Sequence, residues 1–365
     1  MTNDLLYQVA LTQVPNIGCV QAKILVEHLG SAENIFKAKK KQLSIIENIG
    51  EVRAKSIKEF TDFSAAEEEI KFIEKYKIKT LFLTDDDYPT RLLNCYDSPT
   101  LLYYRGNTDL NADKIISIIG TRTNTDYGKQ VTEKLVADLK EQNVLIISGL
   151  AFGIDVIAHK SALQNELATV AVLAHGLDTI YPSQHKSLAK EMVQHGGLLT
   201  EFMKKTKPDK HNFPKRNRIV AALADASIVI ETAVKGGSMI TAELANNYNR
   251  DVFAIPGKTT DSRSSGCNYL IKNNKAALLT DAQQLIEDMG WQQKKLKPKQ
   301  QKELFIELSD DEKLIVSVLR NKETVHIDEI YSKSGLTSSA VAAAILNLEL
   351  QNVVFSLPGK MYKLG

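Results

Sequence analysis

From residue 115 onward, short runs of β-branched and other apolar residues recur every 25–30 residues or so, at 115–119, 144–147, 169–173, 198–200, 226–230, 252–255 and 277–279. Amphipathic helical stretches separate them, among them 128–142, 154–166 and 238–248. A strand with one wet face alternates apolar and polar residues. These runs are continuously apolar, so both faces must be covered. The pattern predicts an α/β chain with a mostly parallel sheet between two layers of helices. In such sheets ligands bind beyond the carboxyl ends of the strands, so the residues just after each run carry the functional information.

Three of those strand ends are built alike. The first runs into Gly120-Thr121-Arg122, the second into Ser148-Gly149-Leu150-Ala151-Phe152-Gly153-Ile154-Asp155, and the fifth into Glu231-Thr232 and then Gly236-Gly237-Ser238, with Thr241 one turn on. Small residues opening a helix leave its first backbone N–H groups free, and the helix dipole favours an anion there. Arg122 adds a planar fork that matches phosphate, and Ser238 and Thr241 add hydroxyl donors. Asp155 and His159 have the i,i+4 spacing of two metal ligands, but no third ligand accompanies them. Capping and packing is the better reading, and no metal or cofactor is expected. There is no Walker A sequence, no GxGxxG, no GxSxG and no HExxH, so neither nucleotide binding nor hydrolysis has motif support. His175, after the third run, has the chemistry of a base, though a lone loop histidine is more often a polar contact.

Charge sharpens this picture. The chain has 46 basic and 44 acidic side chains, a net +2 that by itself argues against a nucleic-acid partner. The local distribution argues the other way. Residues 203–218 hold Lys204, Lys205, Lys207, Lys210, Lys215, Arg216 and Arg218 against Asp209 alone, +6 in sixteen residues. Such a run is often only a solvated face. Here Phe213 and Asn217 are interleaved with it, and a phosphate-and-base site needs charge beside a stacking surface.

The two ends read differently from the middle. Residues 1–84 read as short helices with a weak repeat 32 residues apart, Asn16-Ile17-Gly18 and Asn48-Ile49-Gly50, each resembling half of a helix-hairpin-helix. Asn tolerates the left-handed turn that such a hairpin needs. Whether these turns meet a phosphate or only pack is left open by the residues. A polar, basic stretch at 291–308 reads as a linker. Residues 309–365 read as three helices and a β-hairpin, a winged helix. Its recognition-helix segment TSSAVAAAILNLEL has no Lys or Arg, so a protein-interaction role is expected rather than a major-groove one. No apolar run reaches bilayer length, the first residues lack a signal-peptide pattern, and Cys19, Cys95 and Cys267 are far apart. Together these predict a cytoplasmic protein.

The segments GTRTNTDYG, SGLAFGIDVIAHKSAL, HGLDTIYPSQHKSLA, GGLLTEF, FPKRNRIVAAL, GGSMITAELA and IPGKTTDSRSSGCNYLI occur in the order seen in the DNA-processing protein A (DprA/Smf) family, which residues 85–290 resemble strongly. The resemblance implies a Rossmann-like doubly wound core (85–290) that forms a homodimer and binds single-stranded DNA. It also implies delivery of that strand to the RecA recombinase in natural transformation. The front would be a helix-hairpin-helix (SAM-like) domain and the tail a winged helix. Carried over as DNA-binding are Thr121, Arg122, Lys210, Phe213, Lys215, Arg216, Asn217 and Arg218, with Gly149, Gly153, Gly237, Ser238 and Thr241 at the turns. No catalytic residue is implied. Phe152 stands where the family commonly has a basic residue. The competing reading is a nucleotide-processing enzyme of the phosphoribohydrolase-like group, whose PGGxGTxxE signature Gly236, Gly237 and Glu243 fit. Met239 and Ile240 at its Gly-Thr positions weaken it.

Overall fold

Two antiparallel strands ahead of residue 115 extend the expected sheet. In the computed structural model, which describes residues 4–292 and 308–365 apart from 321, 323, 352, 358 and 359, residues 1–292 form one unit and 293–365 another. The expected linker lies almost wholly outside the described residues.

The first unit holds nine strands: β1 (Lys79–Phe82), β2 (Leu101–Gly106), β3 (Ile115–Ile119), β4 (Leu145–Ser148), β5 (Thr169–Val172), β6 (Gly196–Thr200), β7 (Ala226–Val229), β8 (Asp251–Ala254) and β9 (Ala277–Leu278). They are ordered β1-β2-β6-β5-β4-β3-β7-β8-β9. All neighbouring pairs from β6 to β9 are parallel, while β2 joins β6 and β1 joins β2 antiparallel. β1 and β2 escape a search for β-branched runs because KTLF and LLYYRG contain neither Val nor Ile. Their pairing partners make them strands. Strand order reverses between β3 and β7, which opens a crevice at their carboxyl ends.

Alternate residues of the central strands go to opposite cores. Ile116, Ile118, Ile146 and Ile228 pack on one face, where helix Asp126–Asp138 packs along helix Ile154–Gln164. Ile115, Ile119, Ile147, Val170 and Val172 pack on the other face with helices Asn212–Leu223 and Gly237–Asn247. Burying each such side chain is worth about 1.5–3 kcal/mol. The doubly wound, Rossmann-like arrangement thus follows from runs that are apolar on both faces. On this second face the hydroxyls of Ser117 and Ser227, neighbours across β3 and β7, satisfy each other at 2.7 Å.

The helical front shares the second core, through Leu11, Leu25, Ile35 and Ile57. Its two repeat turns are left-handed at Asn16 (φ 65) and Asn48 (φ 63), the conformation their side chains tolerate. One guanidinium joins them: Arg53 donates to the carbonyls of Asn16 (3.2 Å) and Asn48 (3.1 Å).

The second unit is a winged helix of helices Asp310–Leu319, Ile327–Ser334 and Ser338–Leu350 with β10 (Val325–His326), β11 (Val354–Leu357) and β12 (Met361–Leu364), ordered β10-β12-β11. Ser309 caps its first helix by accepting from Glu312 N, while Glu312 accepts from Ser309 N, a reciprocal capping box. Leu346 and Leu350 of the third helix remain exposed.

Candidate functional site

Beyond the carboxyl ends of β3, β4 and β7 lies a cleft of about 630 Å³. Thr121 and Arg122 line it after β3, Gly149 after β4, and Gly237, Ser238 and Thr241 after β7. Lys210, Phe213, Arg216 and Asn217 close it from the start of helix Asn212–Leu223. Segments more than a hundred residues apart in sequence therefore meet at one place. A smaller pocket shares Arg122, Ala151, Phe213 and Arg216 with the cleft and adds Phe152, His175 and Tyr181.

The aromatic groups are set for stacking. The Arg122 guanidinium lies 5.3 Å from the Phe213 ring centroid, a cation–π distance. Tyr181, 49% exposed, stands 6.4 Å from Phe213. Phe152, where a basic residue is usual in the resembled family, is 44% exposed and meets His185 edge-on at 5.0 Å. His175 is buried and donates from Nδ1 to its neighbour's carbonyl, Gly176 O, at 2.9 Å. Burial lowers its pKa.

The three helix openings differ in a way their sequences do not reveal. At helix Asp126–Asp138 the position is filled from inside. Buried Glu231 accepts from Thr125 N (2.9 Å) and from the Thr125 hydroxyl, and Gly128 packs directly on its carboxylate. Before helix Ile154–Gln164, Asp155 accepts from Ala151 N. Gly153 does not line the cleft. It has φ +81, and a side chain there would strike the Thr121–Arg122 backbone, so it brings two turns together. Only helix Gly237–Asn247 opens without such a carboxylate: no side chain caps it, and nothing lies within 4 Å of where a Gly237 Cβ would sit. Ser238 turns its hydroxyl back to Thr232 at 2.7 Å.

The basic run also divides. Arg216 is 6% exposed. Its guanidinium donates to Val172 O and lies against Gly149 and the Asp155 carboxylate. Burial opposes charge on both partners, lowering the pKa of Arg216 and raising that of Asp155, while each favours the other's ionised form. Arg216 thus holds the floor of the cleft. Arg218 does not reach it, because its guanidinium is held by Glu201 and by Asp97 O. Lys204 and Lys205 pair with Glu68 of the helical front. Lys215 is exposed outside the cleft wall. Of the expected cations, Arg122 and Lys210 remain at the cleft with no ion pair among the described residues.

The residues weighed for metal and nucleotide-cleaving roles are engaged elsewhere. Both His159 nitrogens are engaged, Nδ1 with the Thr169 hydroxyl and Nε2 with Gly149 O, each at 2.6 Å. No cluster of three metal-ligating side chains occurs among the described residues. Glu243, offered for the phosphoribohydrolase-like reading, is ion-paired with Lys275 instead of lining the cleft. Sequence reasoning missed Tyr181 as part of the site and missed that Glu231 fills the first helix opening. Tyr181 lay in a quoted motif, but nothing local shows that it reaches Phe213. No helix among the described residues is long and apolar enough to cross a membrane.

The family model for DNA recombination-mediator protein A matches residues 79–290. A helix-hairpin-helix model matches 9–70 and the DprA winged-helix model 299–360. Protein Smf of Synechocystis is 33% identical over 98% of both chains. DNA processing protein DprA of Streptococcus pneumoniae is 40% identical over 59% of this chain and 76% of its own. The X-ray structure of the pneumococcal protein superposes with a TM-score of 0.67, covering 79% of this chain and 98% of that one, at 33% identity. A Helicobacter pylori DNA processing protein A, whose structure is described for its single-stranded DNA binding mode, gives a TM-score of 0.54 over 59% of this chain and 96% of that one, at 33% identity. With a family model over most of the sheet-bearing unit and a full-length relative above 30% identity, this chain belongs to the DNA recombination-mediator protein A (DprA/Smf) family.

Proposed function

We propose that the cleft binds single-stranded DNA and that the protein passes the strand to the RecA recombinase in recombination, including natural transformation, without catalysing a reaction itself. The observation that carries the reading is the Arg122–Phe213 stack beside unpaired Lys210 and the open amino end of helix Gly237–Asn247, all in one cleft. Phosphates would sit on the Gly237 and Ser238 N–H groups and between Arg122 and Lys210. A base would stack on Phe213, a contact worth about 1–3 kcal/mol. The single-stranded DNA binding mode described for the H. pylori relative supports the ligand class, and the family's designation as a recombination mediator supports the downstream role.

Arg122→Ala combined with Lys210→Ala is expected to weaken binding of an oligothymidylate and flatten its salt dependence while leaving the fold intact. Two lost phosphate contacts remove about 1.4 from the log–log slope, at roughly 0.7 per contact on a single strand. Unchanged affinity and slope in a fluorescence-anisotropy titration would reject the reading. Transfer to the recombinase is checked by whether the purified chain speeds RecA filament formation on the same strand. A homodimer through the sheet unit belongs to the same proposal. The exposed apolar side chain of Leu278 on the edge strand β9 is the feature of that unit that supports it. Light scattering of the full chain tests it.

A further inference from the structure

A second groove of about 580 Å³ lies on the far side of the loop that walls the small pocket. Loop residues Leu173, Ala174, His175 and Tyr181 face the pocket, and Leu177, Asp178, Thr179 and Ile180 face the groove. The loop 173–182 therefore separates the two spaces, and Tyr181 stands half-exposed on the pocket side within reach of Phe213.

The groove has the composition of a single-strand track. Its apolar floor is formed by Leu177, Ile180, Val193 and Leu198. Its rim carries Arg105 from β2 and Lys186 and Lys190 from helix Lys186–Met192. All three are exposed, and none is in an ion pair among the described residues. Asp178 is the only acidic residue lining the groove. In the +6 run most cations are consumed by partners. Here three are left free along an apolar trough, the combination that accepts phosphates on one side and base or sugar faces on the other.

We infer that this groove takes a second stretch of the same DNA strand, which leaves the cleft over the 173–182 loop. The inference rests on the reading of the cleft as a single-strand site. An acidic peptide has the same charge requirement, but the shared loop, with half-exposed Tyr181 on its pocket side, favours a continuous polymer that already occupies the neighbouring cleft.

The test uses the full-length chain with all three groove cations replaced, Arg105→Ala, Lys186→Ala and Lys190→Ala, and two oligothymidylates of about 6 and about 20 nucleotides, a short and a long site size. The longer strand is expected to lose at least about tenfold in affinity and about 2 in log–log salt slope, at roughly 0.7 per phosphate contact. The shorter strand is expected to bind as before. Equal binding of the long strand by wild type and variant overturns the inference, as does an equal loss with both lengths. Lys190→Glu alone, changing one exposed side chain, gives the same pattern at smaller size and guards against a folding defect in the triple variant. Failure of Arg122→Ala with Lys210→Ala to weaken the short strand would sink the cleft reading instead, so the two failures are distinguishable.

Discussion

Arg216 and Arg218 stand two residues apart on one helix, and neither is a free surface cation. Arg216 sits against Asp155 in the interior. Truncating it to Ala would leave a buried carboxylate without its partner, at a cost of about 3–5 kcal/mol. Lys210→Ala, at an exposed position, should stay within about 0.5 kcal/mol of wild type. Urea midpoints of the two variants check the contrast: loss of DNA binding by Arg216→Ala comes with loss of stability, whereas loss by Lys210→Ala does not. His159 supplies a pH dependence. Burial lowers its pKa from 6.5 to about 4, so the folded chain keeps the ring neutral while the unfolded chain protonates it. Stability from this group is complete above the unfolded pKa and falls as pH drops from about 6.5 towards 4, by about 1.4 kcal/mol per unit. Urea midpoints at pH 7 and pH 5 should differ by less in His159→Gln than in wild type. The residue types needed for phosphate and base contacts were legible in the sequence, but their availability was not. Glu68, Glu201 and Asp155 decide which cations are consumed, and none of them lies within the basic run.

At the scale of single elements, the helix Gly237–Asn247 carries the clearest consequence. Its amino end lacks a carboxylate, and a side chain at Gly237 meets no atom within 4 Å. Gly237→Asp should therefore be tolerated, and the new negative charge should even add about 0.3–1 kcal/mol through the helix dipole. The same charge would occupy the place offered to phosphate and weaken single-strand binding. Thermal midpoint and anisotropy measured on one preparation check both signs; a fall in stability together with unchanged binding would remove this helix from the site. Sequence alone made the three strand ends look equivalent, because each has small residues before a helix. Glu231, 106 residues beyond Thr125, makes the first one different. β1 and β2 escaped notice for a different reason: they lie ahead of the β-branched runs and join the sheet edge antiparallel, β2 on β6 and β1 on β2.

For the whole molecule, the division at residue 292 separates the cleft from the winged helix. Every residue of the cleft and of the second groove belongs to 1–292. A 1–292 fragment should therefore keep the single-strand affinity of the full chain, and a large loss in anisotropy would assign DNA contacts to the winged helix. Its third helix, without Lys or Arg and with Leu346 and Leu350 exposed, favours the first outcome. The sequence by itself determined the parallel, doubly covered sheet and the placing of small residues at its strand ends. Both are written in local periodicity: apolar runs too continuous for a wet face, and Gly-rich turns where backbone approaches closely. Tertiary structure alone decided which helix end stays open, which cations stay unpaired and which aromatic rings meet. Those outcomes depend on carboxylates and rings brought in from distant segments, and charge in a protein is set by what lies across a few ångströms of space rather than by what is next in the chain.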